Sequence, residues 1–295
     1  MAFGVIAERF YKEDFLEANG FSRQFLYKKR KSLKTKEATI ASIVEQVLKI
    51  RKKHKNMGAR VLYHQLNIQN LGVNKFEHIV SSSGLSVVIR KRRIVTTTGV
   101  YEKSDQNLIN GLLLNGINQV IAGDITYLIL QDKTYYIFTL KDMYSKRIVG
   151  LYASEYMLAS NAIITLKQVL KLRGTDMRHC IHHSDAGSQY KSINYKKLLK
   201  NNQMLMSIAN NCLENGMSEQ LNGVLKNDYV IKDVKNINQL NKHLTEIKRL
   251  INEERPVKDL NYKTPVAFEN WIATLDHKPE MQLYDFRKAG DFVQA

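Results

Sequence analysis

Proline is nearly absent from this chain, which has three prolines in 295 residues, the first of them at Pro256. The preceding residues lack the strongest breaker of helices and strands, so their element boundaries are taken from glycine, charge and periodicity. The two cysteines exclude a disulfide framework and a four-cysteine zinc site. No apolar run approaches the roughly 20 residues of a membrane span, and no secretory signal is evident at the N-terminus. We therefore expect a cytoplasmic protein without a membrane partner.

Positive charge is what the chain has in excess. Lys and Arg number 45 against 28 Asp and Glu, a formal net charge of +17. Residues 1–93 hold 20 basic and 7 acidic side chains, whereas residues 94–295 hold 25 and 21. A basic first third on a nearly neutral remainder is typical of an arm that meets a polyanion, and nucleic acid is the expected partner. A basic surface that serves only solubility is the alternative.

The basic third divides into a segment over residues 1–37 and a helical region over residues 38–93. Apolar spacing in this region predicts three helices, over about 39–55, 59–68 and 74–83. Two short helices with a tight link form a helix-turn-helix candidate, although many three-helix bundles do not bind DNA. Basic residues on and after these helices favour DNA binding, and the candidate contacts are Arg60, Lys75, Arg90, Lys91, Arg92 and Arg93.

After a predicted linker over residues 94–118, residues 119–235 have the pattern of an α/β domain. Three β-rich segments joined by tight turns predict an antiparallel meander, and later strands alternate with helices. This order predicts a mixed five-stranded sheet flanked by helices, with residues 236–295 forming a C-terminal helix and tail that pack on the core. The predicted strands cover 120–130, 135–144, 148–153, 179–184 and 204–209, and the helices 158–172, 194–201, 213–227 and 237–253.

Three carboxylates lie where such a sheet could gather them. Asp124 is in the middle of the first strand, where a carboxylate is costly to bury unless it is paired or binds a cation. Asp185 ends the fourth strand, near a sheet reversal of the kind where ligands bind. Glu219 lies in the long helix, on a polar stripe that includes Asn215 and Lys226.

Hard carboxylate oxygens suit Mg²⁺ or Mn²⁺. Two such ions roughly 3.5–4 Å apart can activate an attacking water or hydroxyl and stabilise the leaving oxygen of a phosphodiester. Singly, each acidic residue has an ordinary explanation, as a strand-edge residue, a turn residue or a solvated helix residue. Together, on this element order, they predict a metal site for phosphodiester chemistry.

The motifs around these residues carry a family resemblance. They are D-I-T-Y from Asp124 to Tyr127, a D-x-x-S-R-x-I-V-G pattern from Asp142 to Gly150 with Lys146 inserted, H-S-D-x-G-S-Q-Y from His183 to Tyr190, a Ser207 to Glu219 motif, Arg255-Pro256, and Y-x-T-P from Tyr262 to Pro265. With these motifs the chain resembles the DDE transposases of bacterial insertion sequences, in the group whose second reading frame encodes the catalytic protein.

The resemblance implies an RNase H-like integrase core over residues 119–235, preceded by an all-helical helix-turn-helix region. It implies that Asp124, Asp185 and Glu219 hold two Mg²⁺ or Mn²⁺ ions for strand cleavage and 3′-OH strand transfer. His183 and Asn215 are expected to support this site, His183 by orienting Asp185 or by contacting a DNA phosphate. Lys226 is expected to reach the DNA backbone, although a solvated lysine is an alternative for it.

The resemblance also implies partners. These are double-stranded DNA, as element ends and target, a second copy of the chain in a homo-oligomer, and a first-reading-frame helix-turn-helix protein that is fused to the chain or associates with it. The expected location is therefore the cytoplasm, in association with the nucleoid.

Two other functions remain open. A catalytically silent DNA-binding repressor fits two departures from the pattern, Ala122 in place of an expected tryptophan and a slightly short spacing of 34 residues from Asp185 to Glu219. An RNase H-type nuclease that cuts without joining is the other alternative, and the basic helical region argues against it.

Overall fold

The computed structural model describes residue 20 and residues 22–87, 107–209, 216–229 and 234–284. It describes only the backbone of residue 23 and residues 216–219. The candidate DNA contacts Arg90, Lys91, Arg92 and Arg93 and the supporting residue Asn215 lie outside these ranges, as does most of the predicted linker.

The helical region consists of α1 (Arg23–Arg51), α2 (Ala59–Gln65) and α3 (Val73–Ser82). The second and third helices lie close to their predicted positions. The predicted start of the first, at residue 39, is wrong, because α1 begins 16 residues earlier and runs through the expected segment boundary at residues 37 and 38. Ser22 caps it by accepting a hydrogen bond from the Phe25 amide at 3.1 Å. No glycine or proline lies between Ser22 and Arg51, so basic residues with good helix propensity continue the helix.

The three helices share a small core to which α1 contributes only its C-terminal half. Residues 27–42 of α1 are exposed throughout, whereas the half that follows packs on α2 and α3. The buried members of this core are Ile43, Val47, Met57, Leu62, Phe76 and Val80.

The central sheet contains five strands: β2 (Val120–Leu130), β3 (Lys133–Asp142), β4 (Ile148–Ser154), β5 (Ile181–Ser184) and β6 (Leu205–Ile208), numbered after a short β1 (Leu113–Leu114). Their order is β4-β3-β2-β5-β6. The β4-β3-β2 meander is antiparallel, and β5 and β6 run parallel to β2. The predicted mixed five-stranded, RNase H-like sheet is confirmed.

Helices cover both faces of the sheet. They are α4 (Ala159–Arg173), α5 (Ser188–Lys191), α6 (Ile193–Asn201), α7 (Gly216–Asp228) and α8 (Ile237–Arg249). One core layer joins Phe138 and Leu140 to α4 and α6. The opposite layer joins Tyr135 and Ile137 to α7 and α8. Because side chains alternate along a strand, residues 139 and 141 of β3 share the second face.

The expected linker over residues 94–118 is in part a piece of the core. The described part, from residue 107 onward, includes Ile109 and Leu114, which are buried against Tyr144 and Phe268. β1 also pairs antiparallel with β7 (Met281–Gln282) near the end of the described chain. This portion is therefore held by apolar burial and backbone hydrogen bonds.

The C-terminal part continues from α8 into a π-helical turn (Leu250–Glu254), a 3₁₀ turn (Lys258–Leu260) and α9 (Pro265–Ile272). Thr264 caps α9, and Pro265 occupies its first position, where the missing amide hydrogen is not needed. The helical region docks on this part and on α7. The His54 Nδ1 lies 2.7 Å from the Tyr229 hydroxyl, and the His64 ring stacks on Tyr262 with a centroid separation of 3.5 Å.

None of the helices among the described residues combines the length and apolar character that crossing a membrane requires.

Candidate active site

Asp124 lies on the face of β2 that α7 covers. In the β2–β3 ladder it is opposite Thr139, whose hydroxyl donates to the Asp124 carbonyl oxygen at 3.2 Å. Leu128 and Leu130 lie on the same face and pack in the layer that contains α7 and α8. The Asp124 side chain is half-buried at the edge of this layer.

The strand register brings Asp185 to the position beside Asp124. Ala122 of β2 is opposite His183 of β5 in the parallel ladder. Asp124 and Asp185 each follow this pair by two residues, so they lie level with each other at the end of the ladder. Neighbouring strands are about 4.8 Å apart, and residues that are level in a ladder point to the same face. Asp185 is exposed, and the Gly187 amide donates to its Oδ1 at 3.1 Å.

Helix α7 presents three positions to this pair of acids. Asn222 donates from its Nδ2 to the Asp124 Oδ2 at 2.5 Å. Positions three and four residues away lie on the same helix face, so Glu219 is one turn before Asn222 and Lys226 one turn after it. The backbone thus brings the third predicted acid to the face that contacts Asp124.

Lys226 lies beside the site as a cation. Its Nζ is 4.5 Å from the centroid of the Tyr127 ring, an arrangement that favours a cation–π contact. Partial burial lowers the pKa of Lys226, and the negative charge of Asp124 acts in the opposite direction. The site therefore contains both acidic residues and a positive charge that could face a phosphate.

A buried aromatic cluster supports the two aspartates from the other face of the sheet. The rings of His182, Tyr190 and Tyr195 lie with centroids 5.3–5.4 Å apart, and all three residues are buried. A Cβ at Gly123 would lie 2.9 Å from the His182 Cε1 and 3.3 Å from the Tyr190 hydroxyl. Glycine at this position therefore lets the rings approach the strand next to Asp124.

The two aspartates also affect the titration of this cluster. Burial, the neighbouring Tyr195 and the charges of Asp124 and Asp185 together raise the pKa of Tyr190 well above its usual value. Tyr190 is consequently neutral at physiological pH and is a packing residue beneath the carboxylates.

His182 makes the fold sensitive to acid. Burial, with a smaller effect from His183, lowers the pKa of His182 to about 3. Between pH 6.5 and about 3, His182 is therefore protonated in the unfolded chain but neutral in the folded chain. This residue should lower the free energy of unfolding as the pH falls from 6.5 to about 3, by up to about 1.4 kcal/mol per pH unit. The His182→Gln variant is expected to show a shallower acid dependence in urea titrations at several pH values.

The exposed His243 on α8 provides the control for this measurement. His243→Gln should leave the acid dependence as it is in the wild type. An unchanged pH slope in His182→Gln would show that His182 does not govern acid sensitivity.

The donor set fits a hard divalent cation. Asp124 and Asp185 provide carboxylate oxygens at neighbouring positions, which is the chemistry that Mg²⁺ and Mn²⁺ prefer. Among the side chains that the structure describes, no group of three His, Cys, Asp or Glu residues could hold a metal ion. The Glu219 side chain is not among them, so the three-carboxylate arrangement rests on the backbone positions given above.

The remaining predicted residues have other surroundings. His183 is fully buried and its Nδ1 lies 2.9 Å from the Ser207 hydroxyl, so a contact of His183 with a DNA phosphate is wrong for this arrangement. Arg60 forms a two-pronged ion pair with Glu77, at 2.8 and 3.1 Å. Lys75 is exposed on α3. The DNA contacts of Arg60 and Lys75 stay predictions.

Residues 115–211 match a family model described as the integrase core domain. The InsK protein of insertion sequence IS150 from Escherichia coli is 28% identical over 132 residues, which cover 44% of this chain and 46% of that protein. The transposase of IS629 from Shigella sonnei is 28% identical over 181 residues, 59% of this chain and 60% of that protein. Over these parts of its length the chain is similar to insertion-sequence transposases. The resemblance drawn from the sequence motifs is thereby confirmed.

Another relative of this transposase-like chain is a transposase-like protein of Haemophilus influenzae, 37% identical over 91 residues that cover 42% of its length. The chain spans about half the length of these curated relatives. Among solved structures, the catalytic core domain of HTLV-2 integrase in complex with magnesium is similar at a TM-score of 0.42 and 16% identity, over 55% of this chain and 99% of that one. A simian T-cell lymphotropic virus intasome gives a TM-score of 0.47 at 16% identity, over 76% of this chain and 75% of that one.

Sequence reasoning missed the roles of two residues in the transposase-like core. Asn222 is the direct partner of Asp124, and its only signal in the sequence was its place three residues after Glu219. Tyr190 lies under both aspartates, and its aromatic side chain at the end of the H-S-D-x-G-S-Q-Y motif gave no sign of burial.

Proposed function

We propose that this protein is a DNA transposase that cleaves phosphodiesters at the ends of an insertion sequence and joins the freed 3′-OH to another DNA strand. The observation that carries the proposal is the register of β2 and β5, which sets Asp124 and Asp185 side by side. The Asn222 contact adds the helix face on which Glu219 lies. The integrase core match and the transposase relatives support the same chemistry.

Each residue of the site has a role in this proposal. Asp124, Asp185 and Glu219 would hold Mg²⁺ or Mn²⁺, which when bound supplies activation of the attacking oxygen and charge stabilisation at the phosphate. Asn222 orients Asp124 through its amide hydrogen bond. Lys226 would face the DNA backbone as a positive charge beside the carboxylates, and Asn215 and His183 are proposed as supporting residues of the site.

The proposed partner is double-stranded DNA, bound by the helical region through α2, α3 and the basic residues that follow them. A homo-oligomer would bring two element ends together, and a first-reading-frame protein would add a second DNA-binding region. The chain matches only part of the length of its curated relatives, so both assemblies are proposed for it.

The test is a strand-cleavage and joining assay on labelled element-end DNA with Mg²⁺ or Mn²⁺, comparing the wild type with Glu219→Gln. Products that require both the metal and Glu219 are the expected result. The exposed Glu155, which follows β4, provides a matched control, and Glu155→Gln should retain full activity.

The assay also separates the other functions. Hydrolysed but never joined products would identify an RNase H-type nuclease. DNA binding without any product, in this chain and in a version fused to a first-reading-frame segment, would identify a binding-only repressor and contradict the proposal.

A further inference from the structure

A cavity lies where the helical region meets the core. Its volume is about 220 Å³. Val61 of α2 lines it from the helical region, Leu221 and Val224 from α7, and the segment from Arg255 to Asp259 from the C-terminal part. Asp124, Asp185 and Asn222 are not among the described residues that line this cavity.

The charged groups of the cavity are mostly positive. Lys141, Lys146, Arg255 and Lys258 line it, and Asp259 is the single acidic side chain in its described lining. Lys141 and Lys146 are 8% and 6% exposed. The Lys146 ammonium donates a hydrogen bond to the Met143 carbonyl oxygen at 2.7 Å, whereas a buried ammonium group without such a partner is costly to desolvate unless an anion compensates it.

Lys141 is the side chain that most clearly lacks such compensation. It lies in β3 opposite Ala122, on the sheet face that α7 covers. Among the described residues, no hydrogen bond or ion pair reaches its ammonium group, and Asp259 acts on it only as a more distant charge. Burial lowers the pKa of Lys141 to about 8, and burial together with the charge of Lys141 lowers that of Lys146 to about 8.

Arg255 adds a second unused donor. Its Nη2 is 2.5 Å from the Asp228 Oδ2, which fixes the guanidinium plane. Its Nη1 is buried and has no hydrogen-bond partner within the part of the chain that the structure describes. Arg255 and Lys141 both line the cavity, and a guanidinium together with an ammonium group is the recognition pattern of an oxyanion.

We propose that this cavity is a binding site for a phosphate group, held by Lys141 and Arg255 with Lys258 at the rim. The volume accommodates a single phosphate with its hydration but is small for a complete nucleotide in a typical ligand pocket. The phosphate belongs either to free inorganic phosphate or to the backbone of bound DNA. In both cases its charge would connect α2, α7 and the Arg255–Asp259 segment.

Calorimetric titration of the full chain with inorganic phosphate, at ionic strength held constant with chloride, tests the site. The wild type is expected to show saturable binding to one site. Lys141→Met keeps the length of the side chain but removes the ammonium group, and it should weaken phosphate binding about tenfold or more. Lys133→Met changes an exposed lysine in the same strand and should bind phosphate like the wild type.

Two further measurements distinguish the loss of the phosphate site from a folding defect of the variant. Without phosphate, Lys141→Met should unfold at the same temperature as the wild type or above it, because the variant removes an uncompensated buried charge. Lys258→Ala at the exposed rim should weaken phosphate binding without a change in the unfolding temperature. A Lys141→Met chain that is folded and binds phosphate like the wild type would overturn the site.

Binding to a DNA duplex at several salt concentrations distinguishes the two sources of phosphate. If the ligand is a backbone phosphate, Lys141→Met lowers DNA affinity and reduces the salt dependence by about one unit of slope. If it is free phosphate, wild type and Lys141→Met bind DNA equally while only the wild type binds phosphate tightly. Lack of both effects overturns the proposal, and none of these readouts depends on strand cleavage.

Discussion

The Asp124→Asn variant should lose strand cleavage by about a thousandfold while it retains its fold and its binding to DNA. The substitution replaces one carboxylate oxygen with an amide, which is a poor ligand for Mg²⁺ and leaves the site one negative charge short. A loss of several kcal/mol of transition-state stabilisation corresponds to about this factor. The asparagine amide oxygen can still accept the hydrogen bond that Asn222 donates to Asp124 at 2.5 Å, so the packing of α7 on β2 is preserved.

A matched control lies in the hairpin that follows the same strand. Asp132 is exposed in the β2–β3 turn with a φ of 62°, a left-handed conformation that asparagine tolerates well. Asp132→Asn should therefore cleave and bind like the wild type. Cleavage by Asp124→Asn at a rate close to that of Asp132→Asn would remove Asp124 from the catalytic assignment.

The same hairpin shows where reading the sequence reached its limit. Alternating apolar residues placed the first strand at residues 120–130, as observed, but the second was predicted from residue 135 instead of Lys133. The turn consists of only Gln131 and Asp132, both with positive φ. A two-residue turn of this kind matches the twist of the strands, so Lys133 pairs with Leu130 although the sequence predicted a turn over residues 131–134.

The candidate site was predictable in part for a similar reason. The amino-acid sequence alone shows one carboxylate within an apolar strand and another at the end of a strand. The register of the two strands then places these carboxylates together. The contacts of Asn222 with Asp124 and of His54 with Tyr229 join residues 98 and 175 positions apart. Nothing in local periodicity encodes such pairs. The D-x-x-S-R-x-I-V-G pattern likewise gave a family resemblance, but its physical role appeared only in the structure.

That role is to anchor the C-terminal helix α9 to the sheet. Asp142 accepts hydrogen bonds from the amides of Tyr144 and Ser145 and so shapes the turn after β3. The Ser145 hydroxyl donates to Glu269 of α9 at 2.7 Å, and Arg147 donates to the same carboxylate. Arg173, at the end of α4, donates to Glu269 as well. One buried carboxylate therefore joins the β3–β4 turn, α4 and α9.

Glu269→Gln is expected to lower the free energy of unfolding by about 3–5 kcal/mol, the usual cost of breaking a buried ion pair from one side. Glu269 and Arg173 are each 7% exposed, so water cannot replace the lost charge. Burial alone would raise the pKa of Glu269, but hydrogen bonds from Arg173, Ser145 and Arg147 lower it below its usual value. The stabilisation is thus present above the ordinary glutamate pKa and is lost as the pH falls through the lowered one. Urea titration at neutral pH and again in acid measures both effects.

An exposed ion pair between a carboxylate and an arginine provides the control for the Glu269→Gln variant. Asp176 and Arg178 form an ion pair at 2.6 Å, but both side chains are at least 60% exposed. Such pairs contribute little because solvent screens them and ordering two mobile side chains is costly. Asp176→Asn should leave the urea midpoint unchanged, whereas Glu269→Gln should shift it strongly and remove the acid dependence assigned to Glu269. Equal midpoints for the two variants would mean that the buried carboxylate does not anchor α9, and the turn after β3 would then depend on Asp142 alone.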